Sequence, residues 1–128
     1  MNFALETVFI NKYVVSNKCQ RYLSFIEKPK RRGEFLNMLY HGQDFEYSKL
    51  RRANAFYKED ILKQVARLSK APNCYIISVD KKLDGKEMSV AMALDQIGPY
   101  AEGIVLIFGE CDIVYYCGEP PHNEWLSL

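Results

Sequence analysis

Gly103-Ile104-Val105-Leu106-Ile107-Phe108 is apolar throughout, Gly109-Glu110-Cys111-Asp112 interrupts it, and Ile113-Val114-Tyr115-Tyr116-Cys117 is apolar again. Two such runs around a glycine-containing tight-turn signal read as a β-hairpin. The first run has no polar face, the pattern of a central strand. Gly118-Glu119-Pro120-Pro121 ends the second. Upstream, Cys74-Tyr75-Ile76-Ile77-Ser78-Val79 reads as another buried strand, and Trp125-Leu126-Ser127-Leu128 as a short closing edge strand.

Helical signals dominate the part of the chain before Cys74. Ile61, Leu62, Val65 and Leu68 recur at i, i+1, i+4 and i+7, which predicts a helix over 58–70. Glu59 and Asp60 open it and Arg67 and Lys70 close it, as the helix dipole favours. Ala71-Pro72-Asn73 stops it. Pro29 is a good first helical residue and Gly42 a good terminator, so a helix is expected over 29–41. Tyr22, Leu23, Phe25 and Ile26 mark a short helix over 17–27 that ends before Pro29. Asp84-Gly85-Lys86-Glu87 has the pattern of a capping box and opens a helix of 85–97, which Gly98-Pro99 ends. Residues 3–15 are apolar and partly β-branched, and periodicity leaves strand and helix open. Residues 43–57 read as irregular. Helices first and strands later predict an α+β fold. The expectation is one domain over 1–128, with N-terminal helices packed on one face of a small, mostly antiparallel sheet of three to four strands.

The hydrophobic share of 48% and the charged share of 26% are those of an ordinary globular protein. Nine tyrosines among 128 residues are many, and tyrosine suits half-buried surfaces such as interfaces. A net charge of only +1 excludes a general polycation. The charge is nevertheless divided: residues 1–64 hold 12 basic and 7 acidic groups, a net of +5, and residues 65–128 hold 5 and 9, a net of −4. Such polarity suits intramolecular packing, head-to-tail association or an anionic ligand on the first half.

Cys19, Cys74, Cys111 and Cys117 form no C-x-x-C pair. Met1-Asn2-Phe3-Ala4-Leu5-Glu6 has no basic region leading into an apolar run, and the longest apolar run is far too short to span a bilayer. A cytoplasmic protein with reduced thiols and no membrane contact is expected. Cys74 and Cys117 lie in strand-like runs and read as small core residues, whereas Cys111 lies in a turn and is expected to be exposed.

Lys28, Lys30, Arg31 and Arg32 sit at the start of the 29–41 helix, the positive end of its dipole, where acidic residues are favoured. The misfit costs about 0.3–1 kcal/mol per charge. A helix N-terminus flanked by arginine forks is also an anion site. Arg21, Arg51 and Arg52 are candidates to join it, with Tyr22, Tyr40 and Tyr47 interleaved, as single-stranded nucleic acid or a nucleotide would require. The plainer reading is a solvated helix face, or arginines paired with the acidic half of the chain. His41 with Asp44 three residues later has the elements of an acid–base pair, although a histidine at a helix C-terminus is also simply favoured by the dipole. Asp80, Asp84 and Glu87 superficially suggest a hard-metal site, but Lys81, Lys82 and Lys86 interleave them and would repel a cation. Glu110, Asp112, Glu119, Glu124 and His122 read as turn decoration. No complete metal, cofactor, phosphate-loop or hydrolase motif occurs in the sequence.

The spacing Arg21-Tyr22-Leu23, Lys30-Arg31-Arg32-x-x-Phe35-Leu36-x-x-Leu39-x-His41 and Asp44-Phe45 resembles a group of small uncharacterised bacterial proteins. So does the run Ser78-x-Asp80, Leu83-Asp84-Gly85-Lys86-Glu87-Met88 and Tyr115-Tyr116-x-Gly118-Glu119. The likeness covers most of the chain. It implies a stand-alone domain of bacterial cytosolic origin, and brings no activity and no catalytic residues with it.

The leading functional expectation is a non-enzymatic module for an anionic ligand, nucleic acid or nucleotide. Lys30, Arg31 and Arg32 would hold phosphate, with Arg21 beside them and Tyr40 stacked on a base. The second is a metal-independent phosphodiesterase or ribonuclease with His41 as general base, oriented by Asp44. The third is a protein-interaction factor of the immunity or anti-defence type. An exposed sheet edge and many tyrosines make a homodimer reasonable.

Overall fold

The computed structural model describes residues 1–53, 58–68, 73–97, 102–120 and 124–127. The helix stops expected at Ala71-Pro72 and Gly98-Pro99, and the suggestion for His122, lie outside them. The elements run α1 (Phe3–Tyr13), α2 (Cys19–Glu27), α3 (Arg32–His41), β1 (Leu50–Arg52), α4 (Lys58–Leu68), β2 (Asn73–Ser78), β3 (Glu87–Ser89), α5 (Val90–Ile97), β4 (Ile104–Phe108), β5 (Ile113–Cys117) and β6 (Glu124–Ser127). The fold is α+β.

The sheet is antiparallel throughout, in the order β1-β6-β5-β4-β2-β3. Alternation along its strands sends Tyr75, Ile77, Val105, Ile107, Val114 and Tyr116 into one core, against α1, α2 and α3. Cys74, Ile76, Ile104, Leu106, Phe108, Tyr115 and Leu126 enter a second core, against α4 and α5. Helices therefore cover both faces, not one. That double cover is why β4 and β5 carry no polar face.

The sheet has six strands rather than three or four. The two that were missed, Leu50-Arg51-Arg52 and Glu87-Met88-Ser89, are three residues each and too charged to show an apolar pattern. Both lie at edges, where short charged strands are at home. β6 is not an edge strand, because β1 pairs outside it with Arg52 opposite Trp125. Asp84 and Glu87 form no capping box. Glu87 belongs to β3, and the Ser89 hydroxyl caps α5 by accepting from the Met92 N–H at 3.2 Å.

Residues 3–13 are helical because Glu6, Phe9, Ile10 and Tyr13 form one stripe, and all four are buried. Asn2 caps α1 by accepting from the Leu5 N–H. Val14 is extended and bridges to Phe45. Phe45 in turn stacks on Tyr116 at 4.1 Å.

Cys74, Cys111 and Cys117 are buried and Cys19 is half-buried. Cys111 is not exposed: its backbone takes a φ of 70°, its side chain is buried in the core against α1–α3, and Lys12 Nζ donates to its carbonyl at 2.8 Å. Burial pushes the thiols up from 9.0, to about 12 for Cys74 and Cys117 and to about 11 for Cys111. Folded pKa values above the unfolded ones mean that the unfolded chain loses these protons first. Their stability contribution is complete below about pH 9 and is lost as pH rises towards 11–12. A native-state thiol titration at neutral pH should label Cys19 first, with the other three reacting only in denaturant. Equal rates for all four would contradict the packing.

Candidate functional site

The basic segment lies where α2 ends, a 3-10 turn runs over Pro29–Arg31 and α3 begins. The chain turns here because Lys28 is extended ahead of Pro29, and Arg31 N–H closes the turn onto the Lys28 carbonyl at 2.9 Å. No side chain caps α3. Two of its misplaced charges, Arg31 and Arg32, are instead answered by carboxylates.

Arg32 turns inward. Its Nη1 and Nη2 donate to the two Glu6 carboxylate oxygens at 2.6 and 2.9 Å. Its Nε and Nη2 donate to the two Asp84 oxygens at 2.9 and 2.8 Å. The side chains of Arg32, Glu6 and Asp84 are 15%, 0% and 7% exposed. Burial alone disfavours the charged guanidinium, but Asp84 and Glu6 more than offset it, so its pKa is raised. Tyr75 Oη also donates to Glu6 at 2.7 Å, and Asp84 accepts from the Ser78 N–H at 3.1 Å. The network ties α1, α3 and the β2–β3 turn together. Asp84 is spent there, not in metal binding. Four of its five guanidinium N–H groups are thereby engaged, so a phosphate on Arg32 would have to displace a carboxylate.

Arg31 stays at the surface. Its guanidinium lies 4.6 Å over the Phe25 ring and pairs with Glu34 at 2.6 Å. Arg21 lies 5.7 Å from the same ring. Lys28 and Lys30 are exposed. Arg21, Lys28, Lys30 and Arg31 thus form a basic corner over a buried phenyl. Phe25, Tyr22 and Phe35 are all buried, so none of these rings offers a face for a base to stack on.

Tyr40 and His41 stand at the other end of α3, about 13 Å along the axis from Arg31 at 1.5 Å per residue. Their surroundings are acidic. Partial burial, then Glu102 and Glu119, raises the Tyr40 phenol. Glu119 N–H donates to the Tyr40 carbonyl, and His41 Nδ1 meets Glu119 Oε2 at 3.0 Å. His41 and Asp44 are not partners. Tyr22 Oη donates to Asp44 at 2.8 Å; burial, and then this bond and the Asp44 charge, raise the Tyr22 phenol. The His41 and Glu119 side chains are 44% and 43% exposed, and an ion pair so open to water contributes little. The residues singled out from the sequence therefore separate into a basic end and an acidic, aromatic end.

Sequence reasoning passed over Glu6, read Tyr75 only as a strand residue, and read Glu119 only as turn decoration. Glu6 did leave a signal, as the single acid on the apolar stripe of α1. It also passed over an aromatic row at the β1 side of the sheet. Arg52 lies 4.6 Å over Trp125, which lies 4.7 Å from Tyr47, which leads through Phe45 to Tyr116. Among the described residues no group of three His, Cys, Asp or Glu side chains is placed to hold a metal ion, and no helix is long and apolar enough to cross a membrane. Comparison with known families, curated proteins and solved structures gives no match.

Proposed function

We propose that the protein is a non-enzymatic binding module whose partner is an acidic protein surface, engaged through Arg21, Lys28, Lys30 and Arg31. One observation carries this reading: Arg32, Asp84 and Asp44 are engaged within the fold, while this corner points its charge outward over a buried ring. A surface pair such as Arg31–Glu34 exchanges for a better partner at little cost. A nucleotide reading would need phosphate on Arg31 and a base on Tyr40, which lie at opposite ends of α3. A phosphodiesterase reading would need arginine beside His41, where Glu119 stands instead, with Glu102 acting on the neighbouring Tyr40.

The test is a pull-down from the native host at low salt, with wild type and Lys30→Glu/Arg31→Glu as paired baits. The expected result is a protein retained by wild type, released by salt and absent from the variant. Release by nuclease would return weight to nucleic acid. A partner held equally by both baits would overturn the assignment to this corner. Loss of phosphodiester hydrolysis on His41→Ala would overturn the non-enzymatic reading.

A further inference from the structure

At the side away from β1 the sheet ends in β3, and among the described residues no strand lies outside it. The bonding pattern fixes which backbone groups of β3 point away from the sheet. Ile76 N–H donates to the Lys86 carbonyl at 2.9 Å, and Gly85, at φ 78°, forms a bulge there. Bonded and non-bonded pairs alternate along an antiparallel ladder, so Cys74 exchanges its bonds with Met88. Glu87 and Ser89 therefore turn their N–H groups outward, and Glu87 its carbonyl as well. Among the described residues nothing bonds to these three groups. The Ser89 carbonyl is committed, because the residue that caps α5 accepts the first bond of that helix. The Lys86 and Glu87 side chains are both exposed, and among the described residues neither enters an ion pair.

The side chains select the occupant. Glu87 stands opposite Tyr75 on the α1–α3 face, and Met88 opposite Cys74 on the other, which Lys86 shares by alternation. Met1, large and apolar yet 59% exposed, lies over Gly85, where a Cβ would come 2.6 Å from its Sδ. An antiparallel strand laid beside β3 passes Met88, Glu87 and Lys86 in turn, then the bare backbone of Gly85 beside Met1. Apolar, basic, acidic and apolar residues in that order complement these neighbours. A second copy of β3 does not. Pairing Glu87 with Glu87 sets like charges opposite, and pairing it with Gly85 sets Lys86 against Lys86. Pairing it with Ser89 calls on the carbonyl that α5 already uses.

We propose that β3 is a docking edge for an extended protein segment of the pattern apolar-basic-acidic-apolar, which adds as a further antiparallel strand beside Glu87-Met88-Ser89. The edge is a different surface from the α2–α3 corner, so either assignment can fail alone. Its few outward groups imply a weak, rapidly exchanging complex.

The register dictates the probe, an end-blocked peptide Thr-Val-Lys-Glu-Leu-Thr, titrated to millimolar concentration into isotope-labelled protein and followed by amide shifts and hydrogen exchange. Its control is Thr-Val-Glu-Lys-Leu-Thr, identical in composition. The expected result is new protection of the Glu87 and Ser89 amides, with little gain at Met88, whose amide already bonds to Cys74. The control should bind about fivefold more weakly or worse. Lys86→Glu/Glu87→Lys should invert that preference, and Glu87→Gln should narrow it if the double reversal does not fold. Shifts confined to Arg21–Arg31 would overturn the edge proposal and leave the corner reading standing. Equal binding of the two peptides to wild type, or no shift at any residue, would overturn it. Protection of the Glu87 and Ser89 amides without peptide would do so too, showing an edge already covered or, where it grows with protein concentration, one taken by a second copy.

Discussion

Arg32→Ala is expected to lower the unfolding free energy by about 3–5 kcal/mol in urea denaturation. The substitution leaves Glu6, 0% exposed, and Asp84, 7% exposed, without the cation that both share. Breaking a buried pair from one side costs more than the pair contributed, because the remaining charge stays out of water. Here two carboxylates are left, and only the Tyr75 hydroxyl still donates to Glu6 as a side chain. Arg32→Lys keeps the charge but loses the fork, so it should fall between wild type and Ala. Replacing Glu6 and Asp84 by their amides in the Arg32→Ala background should recover part of the loss. A cost under about 1 kcal/mol for Arg32→Ala would mean that water reaches the network.

Gly42→Ala is the second large effect, roughly 2–5 kcal/mol. Gly42 ends α3 at φ 67°, and an L-residue there costs about 1–2 kcal/mol. A Cβ would also collide with the Tyr116 hydroxyl and lie 2.9 Å from the Tyr47 hydroxyl. Overpacking of this kind costs about 1–3 kcal/mol. Neither ring is free to yield: Tyr116 donates to the Leu39 carbonyl, Tyr47 donates to the Gly42 carbonyl, and both pack on Phe45. The clash and the strain separate in a double-mutant cycle. In a Tyr116→Phe background Gly42→Ala should cost less, since the hydroxyl it strikes is gone. Equal costs in both backgrounds would assign the effect to backbone strain and the Tyr47 contact rather than to the Tyr116 hydroxyl.

The sequence made the centre of the fold legible and left its rim obscure, for a physical reason. β2, β4 and β5 are buried on both faces, so burial alone dictates their composition. β1 and β3 are held by backbone pairing at an edge, which asks little of side chains. Leu50-Arg51-Arg52 carries no apolar pattern to find. The surroundings of the candidate residues were hidden for a related reason. A short sequence spacing brought His41 to Asp44 on paper, whereas its partner, Glu119, is 78 residues away. The unusual charge at Arg32 was visible from the start, but its meaning depended on acids 26 and 52 residues distant. Helix-dipole reasoning identifies such a misfit and cannot say which carboxylate resolves it.

The strand order also fixes a schedule. β6 follows every other described element along the chain, yet it lies between β5 and β1 in the sheet. During synthesis β1 leaves the ribosome early and has no strand to join. It waits, as Arg32 waits for Asp84, until the residues that complete its pairing are made. Pairings between remote segments are slow to form, and an unpaired strand is exposed to wrong partners in the meantime. A nascent chain halted before residue 124 therefore lacks two strands of this sheet, not one.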